Sequence, residues 1–436
     1  MQCWYCGVGA DREQIHHPVD YPGETVLAGS ATSEMRPDDR GSEWEPAGSL
    51  LLHGISSLVT VDEQAGRGAL GIVDDGAVVI EDGVCVWVGR AAEAPTADDA
   101  IDLGGRSVLP GWVDSHSHLV FAGDRSAEFV ARMAGQPYSV GGIAATVAST
   151  REASTDQLLS GVRRHLAEMA RGGTTCVETK SGYGLTLADE LRSVRVAQRA
   201  GVDAITFLGA HAVPEEFRDS PETYLDLVCG PMMEAVSGIA QFVDVFCEQG
   251  AFDDAQARRV LAAGARAGLG LKVHGNQLAQ GPGVQLAVSV KAISVDHCSY
   301  LDDADVDALA SSTTVATVLP ATDLSTRQPP APVRRLIDAG ATVALASNCN
   351  PGSGYTSSMN LVVALGVLNC AMTIEEAVRA ATEGGARALG RDDVGMIAVG
   401  RRADLHAIDA PGPEYLAYRI GVPLTAAVWR SGIRVV

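Results

Sequence analysis

The segment Val113-Asp114-Ser115-His116-Ser117-His118 carries two imidazoles two positions apart, just after the loop signal Leu109-Pro110-Gly111-Trp112. Side chains two apart on a strand share a face, so His116 and His118 can meet one metal ion at the strand's end. Further histidines stand at the ends of later apolar runs: His211, His274 and His297. Any one of them reads equally well as a core histidine with satisfied ring nitrogens. Together these five positions hold half of the chain's ten histidines, and that coincidence points to a shared centre. Three neutral imidazoles with an oxygen donor suit Zn2+ or Fe2+, and a coordination position left open for water makes such a centre catalytic. A structural metal is the other reading, although structural zinc favours closed, cysteine-rich sites.

The elements that must position these groups follow an α/β plan. Apolar runs at 113–118, 174–180, 204–210, 242–248, 271–275, 292–297, 314–319 and 342–347 alternate with amphipathic helical stretches such as 156–171, 188–199, 255–267 and 303–311. Eight strand–helix repeats predict a TIM-type (β/α)8 barrel over residues 110–390, with the chemistry at the C-terminal strand ends. There, strand 2 runs into Lys180-Ser181-Gly182-Tyr183-Gly184 and strand 4 into Glu248. Strand 5 brings Gln277 beside His274, and strand 8 runs into Asn348-Cys349-Asn350-Pro351-Gly352-Ser353. Tyr183, between two glycines, is expected to be exposed. Gly352 and Ser353 in a tight turn could offer backbone N–H groups as a small anion nest, or could be a turn and nothing more.

Outside the barrel the pattern is short strands with turns. Runs at 76–80 and 84–89 flank Asp82-Gly83, a strong hairpin signal. Strand-like segments return at 402–409 and 426–429, so residues 46–109 and 391–436 are expected to form one small β-sandwich domain. Residues 1–45 keep no hydrophobic period and read as a disordered extension. Cys3-x-x-Cys6 with His16-His17 could be imagined as a zinc knuckle, but lacks a clean second ligand pair.

A net charge of −21 argues against nucleic acid or anionic membrane surfaces as partners. No apolar run approaches membrane-spanning length. Nine scattered cysteines form no framework and fit reduced thiols in a cytoplasmic protein.

The chain resembles the amidohydrolase superfamily and, within it, the imidazolonepropionases of histidine degradation. The resemblance spans roughly residues 46–430. It rests on the His116-x-His118 pair and the segments 118–125, 180–186, 207–214, 244–248 and 350–353. It implies hydrolytic ring opening of 4-imidazolone-5-propanoate to N-formimidoyl-L-glutamate, with one Zn2+ or Fe ion per subunit of a homodimer. By position it makes His116, His118 and His274 metal ligands, and Arg125, Tyr183 and His211 substrate contacts. Asn350, Gly352 and Ser353 would surround the carboxylate end, and Tyr138 joins the candidate contacts. The chemistry agrees for Arg125, whose planar guanidinium can pair with a propanoate bidentately. Its alternative is a surface ion pair. Gln277 cannot act as a base but can hydrogen-bond the ring. No lysine ends strand 4, which fits a mononuclear site.

One position departs from the pattern. The resemblance implies an aspartate at the end of strand 8 that both holds the metal and takes a proton from the attacking water. Here that residue is Asn348, a possible weak oxygen ligand with no basic carboxylate. Turnover is therefore expected to be reduced, with His297 as a substitute base. Two alternatives stand beside a working enzyme: a catalytically impaired binding protein, and another cyclic amidohydrolase or deaminase.

Overall fold

The computed structural model describes residues 48–136 and 142–436. The 1–45 extension, with Cys3, Cys6, His16 and His17, and also Tyr138, lie outside the described residues.

Eight parallel strands form the barrel: β5 (Trp112–Asp114), β6 (Thr174–Lys180), β7 (Ala204–Ala210), β8 (Phe242–Cys247), β9 (Gly270–Gly275), β10 (Ser294–His297), β11 (Val315–Val318) and β12 (Val343–Leu345). They neighbour one another in sequence order, the topology that helical crossovers produce. The helices carry their own start signals. Ser154 and Gln157 cap the helix Thr155–Arg171 reciprocally, and Leu158, Leu159, Val162 and Met169 form its buried stripe. Asp253 and Asp302 cap the helices Asp254–Arg266 and Asp303–Ala310 in the same way. No helix among the described residues is long and apolar enough to cross a membrane.

The first barrel strand is shorter than the alternation of 113–118 predicts. It ends at Asp114, and 115–118 leaves the regular ladder because its backbone serves both neighbours. The Lys180 N–H donates to the Ser117 carbonyl (2.9 Å), the Asn348 N–H to the His116 carbonyl (3.0 Å) and the His118 N–H to the Asn348 carbonyl (3.0 Å). These last two bonds join the first and last strands, so the histidine pair lies where the barrel closes.

The second sheet contains β1 (Leu50–Val59), β2 (Ile72–Glu81), β3 (Val84–Arg90), β4 (Asp99–Pro110), β13 (Leu405–Ile408), β14 (Thr425–Arg430) and β15 (Ile433–Arg434). Its order is β15-β14-β13-β4-β1-β2-β3, so amino- and carboxy-terminal strands share it. The two layers of a sandwich are here one continuous sheet that rolls on itself. Bulges in the long strands β1 and β4 let it curve. The segment leading into β13 then meets the β2–β3 hairpin through Cys85 N–H to Arg401 O (2.9 Å) and Ala403 N–H to Gly83 O (2.8 Å). Leu52, Ile55, Val78, Ile80, Leu405 and Trp429 fill the roll. Asp82 and Gly83 both take positive φ (47° and 78°), as the hairpin signal requires. At the junction with the barrel, a Cβ on Gly173 (φ 90°) would come within 2.4 Å of the His406 ring. Only glycine fits there.

Candidate metal centre

His116, His118 and His274 present ring nitrogens that all lie within 4.8 Å of one another, every one of them buried. Nε2 of His118 is 3.4 Å from Nε2 of His274. That is roughly the edge of a tetrahedron whose metal–nitrogen bonds are about 2.0–2.1 Å. Carboxylates stand beside the opposite nitrogens of two rings: His116 Nδ1 is hydrogen-bonded to Asp296 Oδ2 (2.6 Å), and His274 Nδ1 lies at ion-pair distance, 2.9 Å, from Asp244 Oδ2. A proton held at Nδ1 by a carboxylate leaves Nε2 as a bare lone pair, the state a metal needs. Nε2 of His116 is buried and has no hydrogen-bond partner among the described residues. Burial pushes the His116, His118 and His297 imidazoles well below their ordinary range and lowers His211 to about 4. All four are thus neutral donors at neutral pH. This donor set fits a divalent borderline cation.

Beneath the histidines the barrel interior carries charge. Lys180 Nζ is 2.8 Å from Glu178 Oε1, 3.0 Å from Asp244 Oδ2 and 3.4 Å from Asp296 Oδ2, with every partner fully buried. Lys272 Nζ donates to the Ser115 carbonyl (3.0 Å) and lies 3.8 Å from Glu178 Oε1. Burial works against the charge of Asp244, but His274 and Lys180 outweigh it and hold the carboxyl far below its usual range. Burial likewise works against the Lys180 ammonium, and its three carboxylate neighbours outweigh it, so it stays charged.

Two buried glutamates shape the loops above. Glu190 accepts the N–H groups of Gly182, Gly184 and Leu185, which folds the 182–185 turn back over the helix that follows. This turn draws Tyr183 inward, contrary to the exposure expected for it: it is 1% exposed and packs against His118, Phe121 and His211. His211 donates from Nδ1 to the Gly182 carbonyl (2.9 Å) and stacks on His118. Glu248 accepts the N–H groups of Gln277 (2.8 Å) and Leu278 (3.0 Å), fixing the loop after His274.

Arg125, Tyr183, His211, Gln277, Asn350 and Ser353 line one cleft with His118, His274, His297 and Asn348. Sequence reasoning placed all ten in the site. Asn348 donates through Nδ2 to Thr322 Oγ1 (2.7 Å) and Ser353 Oγ (2.9 Å). Its Oδ1 is buried without a hydrogen-bond partner among the described residues. His297 and Asn348 both hold positive φ (84° and 70°), a conformation that carries a cost for non-glycine residues and that packing must hold in place. Arg125 is buried and forms a bidentate pair with Glu128 (3.0 and 2.6 Å). A Cβ on Gly352 would come within 2.1 Å of the Arg125 guanidinium, so glycine is what lets the turn approach it. The nest reading of this turn changes: the Gly352 N–H donates to Asn350 Oδ1 (2.9 Å), and its carbonyl accepts from Arg132 (3.0 Å). Asn350 closes the turn on itself, so the Gly352 N–H is already committed.

Sequence reasoning gave no roles to Glu178, Lys180, Asp244, Asp296 or Glu190. A signal was present: charged residues recur at every second position in otherwise apolar strands, as in Glu178/Lys180 and Lys272/His274.

Residues 107–433 match the amidohydrolase family, and the chain belongs to it. Solved structures share the fold. A mutant of the atrazine chlorohydrolase TrzN of Arthrobacter aurescens TC1, complexed with zinc and atraton, superposes with a TM-score of 0.69 at 18% identity, over 89% of this chain and 95% of that one. An adenosine deaminase of Xanthomonas campestris with bound zinc gives 0.67 at 21%, over 88% and 92%. Sequence relatives narrow the assignment. The imidazolonepropionase of Saccharopolyspora erythraea is 59% identical over 391 residues, covering 89% of this chain and 99% of that protein. That of Streptomyces griseus is 57% identical over 383 residues, covering 88% and 98%. Within the amidohydrolases the chain is therefore a member of the imidazolonepropionase family.

Proposed function

We propose that this protein hydrolyses 4-imidazolone-5-propanoate to N-formimidoyl-L-glutamate, the ring opening of histidine degradation. The observation that carries this reading is the convergence, in one cleft, of the three-imidazole centre with Arg125, Tyr183, His211 and Gln277. Identity of 54–59% to imidazolonepropionases favours it over a deaminase or triazine hydrolase, whose structures share only 15–21%. It also weighs against a non-catalytic binding protein.

In the reaction, a water oxygen bonds to the ring carbonyl carbon, the carbonyl C–N bond breaks, and the ring nitrogen takes up a proton. His116, His118 and His274 would hold a single Zn2+ or Fe2+, with Asn348 Oδ1 as a weak fourth donor. Such a cation, when bound, supplies Lewis acidity that brings water's pKa toward neutrality. Arg125 would receive the propanoate, exchanging Glu128 for the substrate's carboxylate in bidentate geometry. Asn350, Gly352 and Ser353 wall that end, while Tyr183, His211 and the Gln277 amide contact the ring. Asn348 offers no carboxylate to accept the water's proton, so this falls to the neutral His297 imidazole, and turnover is slower than an aspartate would permit.

The test is metal analysis together with imidazolone-propanoate hydrolysis by the parent, Asn348→Asp and His297→Ala. Metal in the parent, faster turnover in Asn348→Asp and loss of residual turnover in His297→Ala are expected. Inactivity of both parent and Asn348→Asp on this substrate would overturn the proposal. Unchanged activity in His297→Ala would remove His297 from it.

A further inference from the structure

Lys180 is fully buried inside the barrel, and its contacts are selective. One oxygen of Asp244, Oδ2, lies 3.0 Å from the Lys180 ammonium and 2.9 Å from His274 Nδ1. One oxygen of Asp296, again Oδ2, lies 3.4 Å from the same ammonium and 2.6 Å from His116 Nδ1. Lys180 is itself pinned from the third side by Glu178, which also accepts the Ser117 N–H (3.1 Å) in the histidine segment. Barrel interiors are usually filled by branched apolar residues, and burying an ion group is costly unless every member is paired. Here the pairing reaches the two carboxylates that touch the anchored histidines.

We propose that Lys180 is a positioning residue of the metal centre: its ammonium bridges Asp244 and Asp296, and so aims Nε2 of His274 and His116 at one point. A carboxylate free to rotate could present either oxygen, or none, to its histidine. Asp244 Oδ1 already accepts the Val245 and His274 N–H groups (2.7 and 3.2 Å), and the shared ammonium draws the remaining oxygen, and Oδ2 of Asp296, toward the two Nδ1 atoms, where each carboxylate favours a proton. The ammonium also explains the other cluster of potential ligands, Asp244, His274 and Asp296. It contacts both carboxylates of that group, so the charge a second cation would bring is already supplied by the chain.

The inference rests on reading His116, His118 and His274 as ligands. Its test uses the full-length parent, Lys180→Met, Lys180→Gln, the pair Asp244→Asn/Asp296→Asn, and that pair combined with Lys180→Met. The readouts are Zn2+ affinity by chelator competition and the imidazole nitrogen NMR spectrum of the zinc-free protein, which reports tautomers without any turnover. Lys180→Met should weaken Zn2+ binding about 10- to 100-fold and mix the His116 and His274 tautomers. Lys180→Gln, whose amide can still donate to both carboxylates, should lose less. In the background lacking both carboxylates, Lys180→Met should add no further loss, because the path it acts through is gone. Unchanged affinity and tautomers in Lys180→Met, or a loss that adds fully in that background, would overturn the proposal. If Lys180→Met does not fold, unchanged Zn2+ affinity and unchanged His116 and His274 tautomers in Asp244→Asn/Asp296→Asn overturn it equally, because the proposed path runs through those carboxylates. A parent that binds no Zn2+ sinks the ligand reading itself, an outcome distinct from all of these.

Discussion

In the rolled sheet, β1 packs Leu50, Leu52, Ile55 and Leu58 into the core, each at most 5% exposed; in the barrel, β6 and β9 bury Glu178, Lys180, Lys272 and His274 to the same depth. Both regions bury one face of their strands, in β1 across bulges that shift the register and in β6 and β9 at every second residue, and both exclude water. They differ in what each buried residue asks of its surroundings. An apolar side chain gains about 25 cal/mol per Å2 wherever it is covered, whatever covers it. A buried ion must meet particular partners at particular distances, or it costs more than it returns. The sheet is therefore tolerant in detail and the barrel is not, and substitutions in the two regions should fail in different ways.

The sharpest break of this comparison is at the metal centre. His118→Ala, or removal of metal by a chelator, should reduce hydrolysis to background while far-ultraviolet circular dichroism stays native. Restoration by added Zn2+ or Fe2+ should follow in the chelated parent alone. Next in size is Asn348→Asp, which returns a carboxylate to the end of β12 and should raise kcat by about 10²–10⁴-fold, read by steady-state assay.

In the sheet the loss should appear as stability. Leu52→Ala should cost about 2–5 kcal/mol in urea unfolding, with turnover per folded molecule unchanged. A smaller, pH-dependent effect separates paired from unpaired buried carboxylates within the barrel. Asp323 is held by the Ser299 hydroxyl and the Ala331 N–H, and burial pushes it up to about 6 from its ordinary 3.8. A raised acid pKa means the folded state binds the proton more tightly. Its contribution is thus complete below about pH 4 and is lost as pH rises through 6. Asp323→Asn keeps a neutral group throughout, so its stability relative to the parent should climb by about 3 kcal/mol between pH 4 and 8. Thermal unfolding at both pH values checks this. An equal difference at the two would mean that Asp323 is not neutral in the folded state at low pH.

Much of the fold was legible locally. The strands β6 and β7 start and stop where their apolar runs do, because glycine and turn residues bound them. The runs at 113–118 and 342–347 extend past β5 and β12 because alternation continues into residues whose backbone bonds switch partners at barrel closure. The histidines of the centre were visible through their positions at strand ends. Tyr183 misled because flanking glycines signal a turn but not which way it folds, which Glu190 decides from the following helix.

The sequence by itself determined the strand and helix periods, the Asp82-Gly83 hairpin, the His116-x-His118 pair and the absence of a carboxylate at 348. These are properties of short windows, where backbone geometry alone relates neighbouring side chains. Only the tertiary structure decided that Lys180 meets Asp244 and Asp296, that those carboxylates anchor His274 and His116, and that Asn350 rather than a ligand takes the Gly352 N–H. Contacts across strands depend on register and barrel closure, which the whole core sets together and no single window contains.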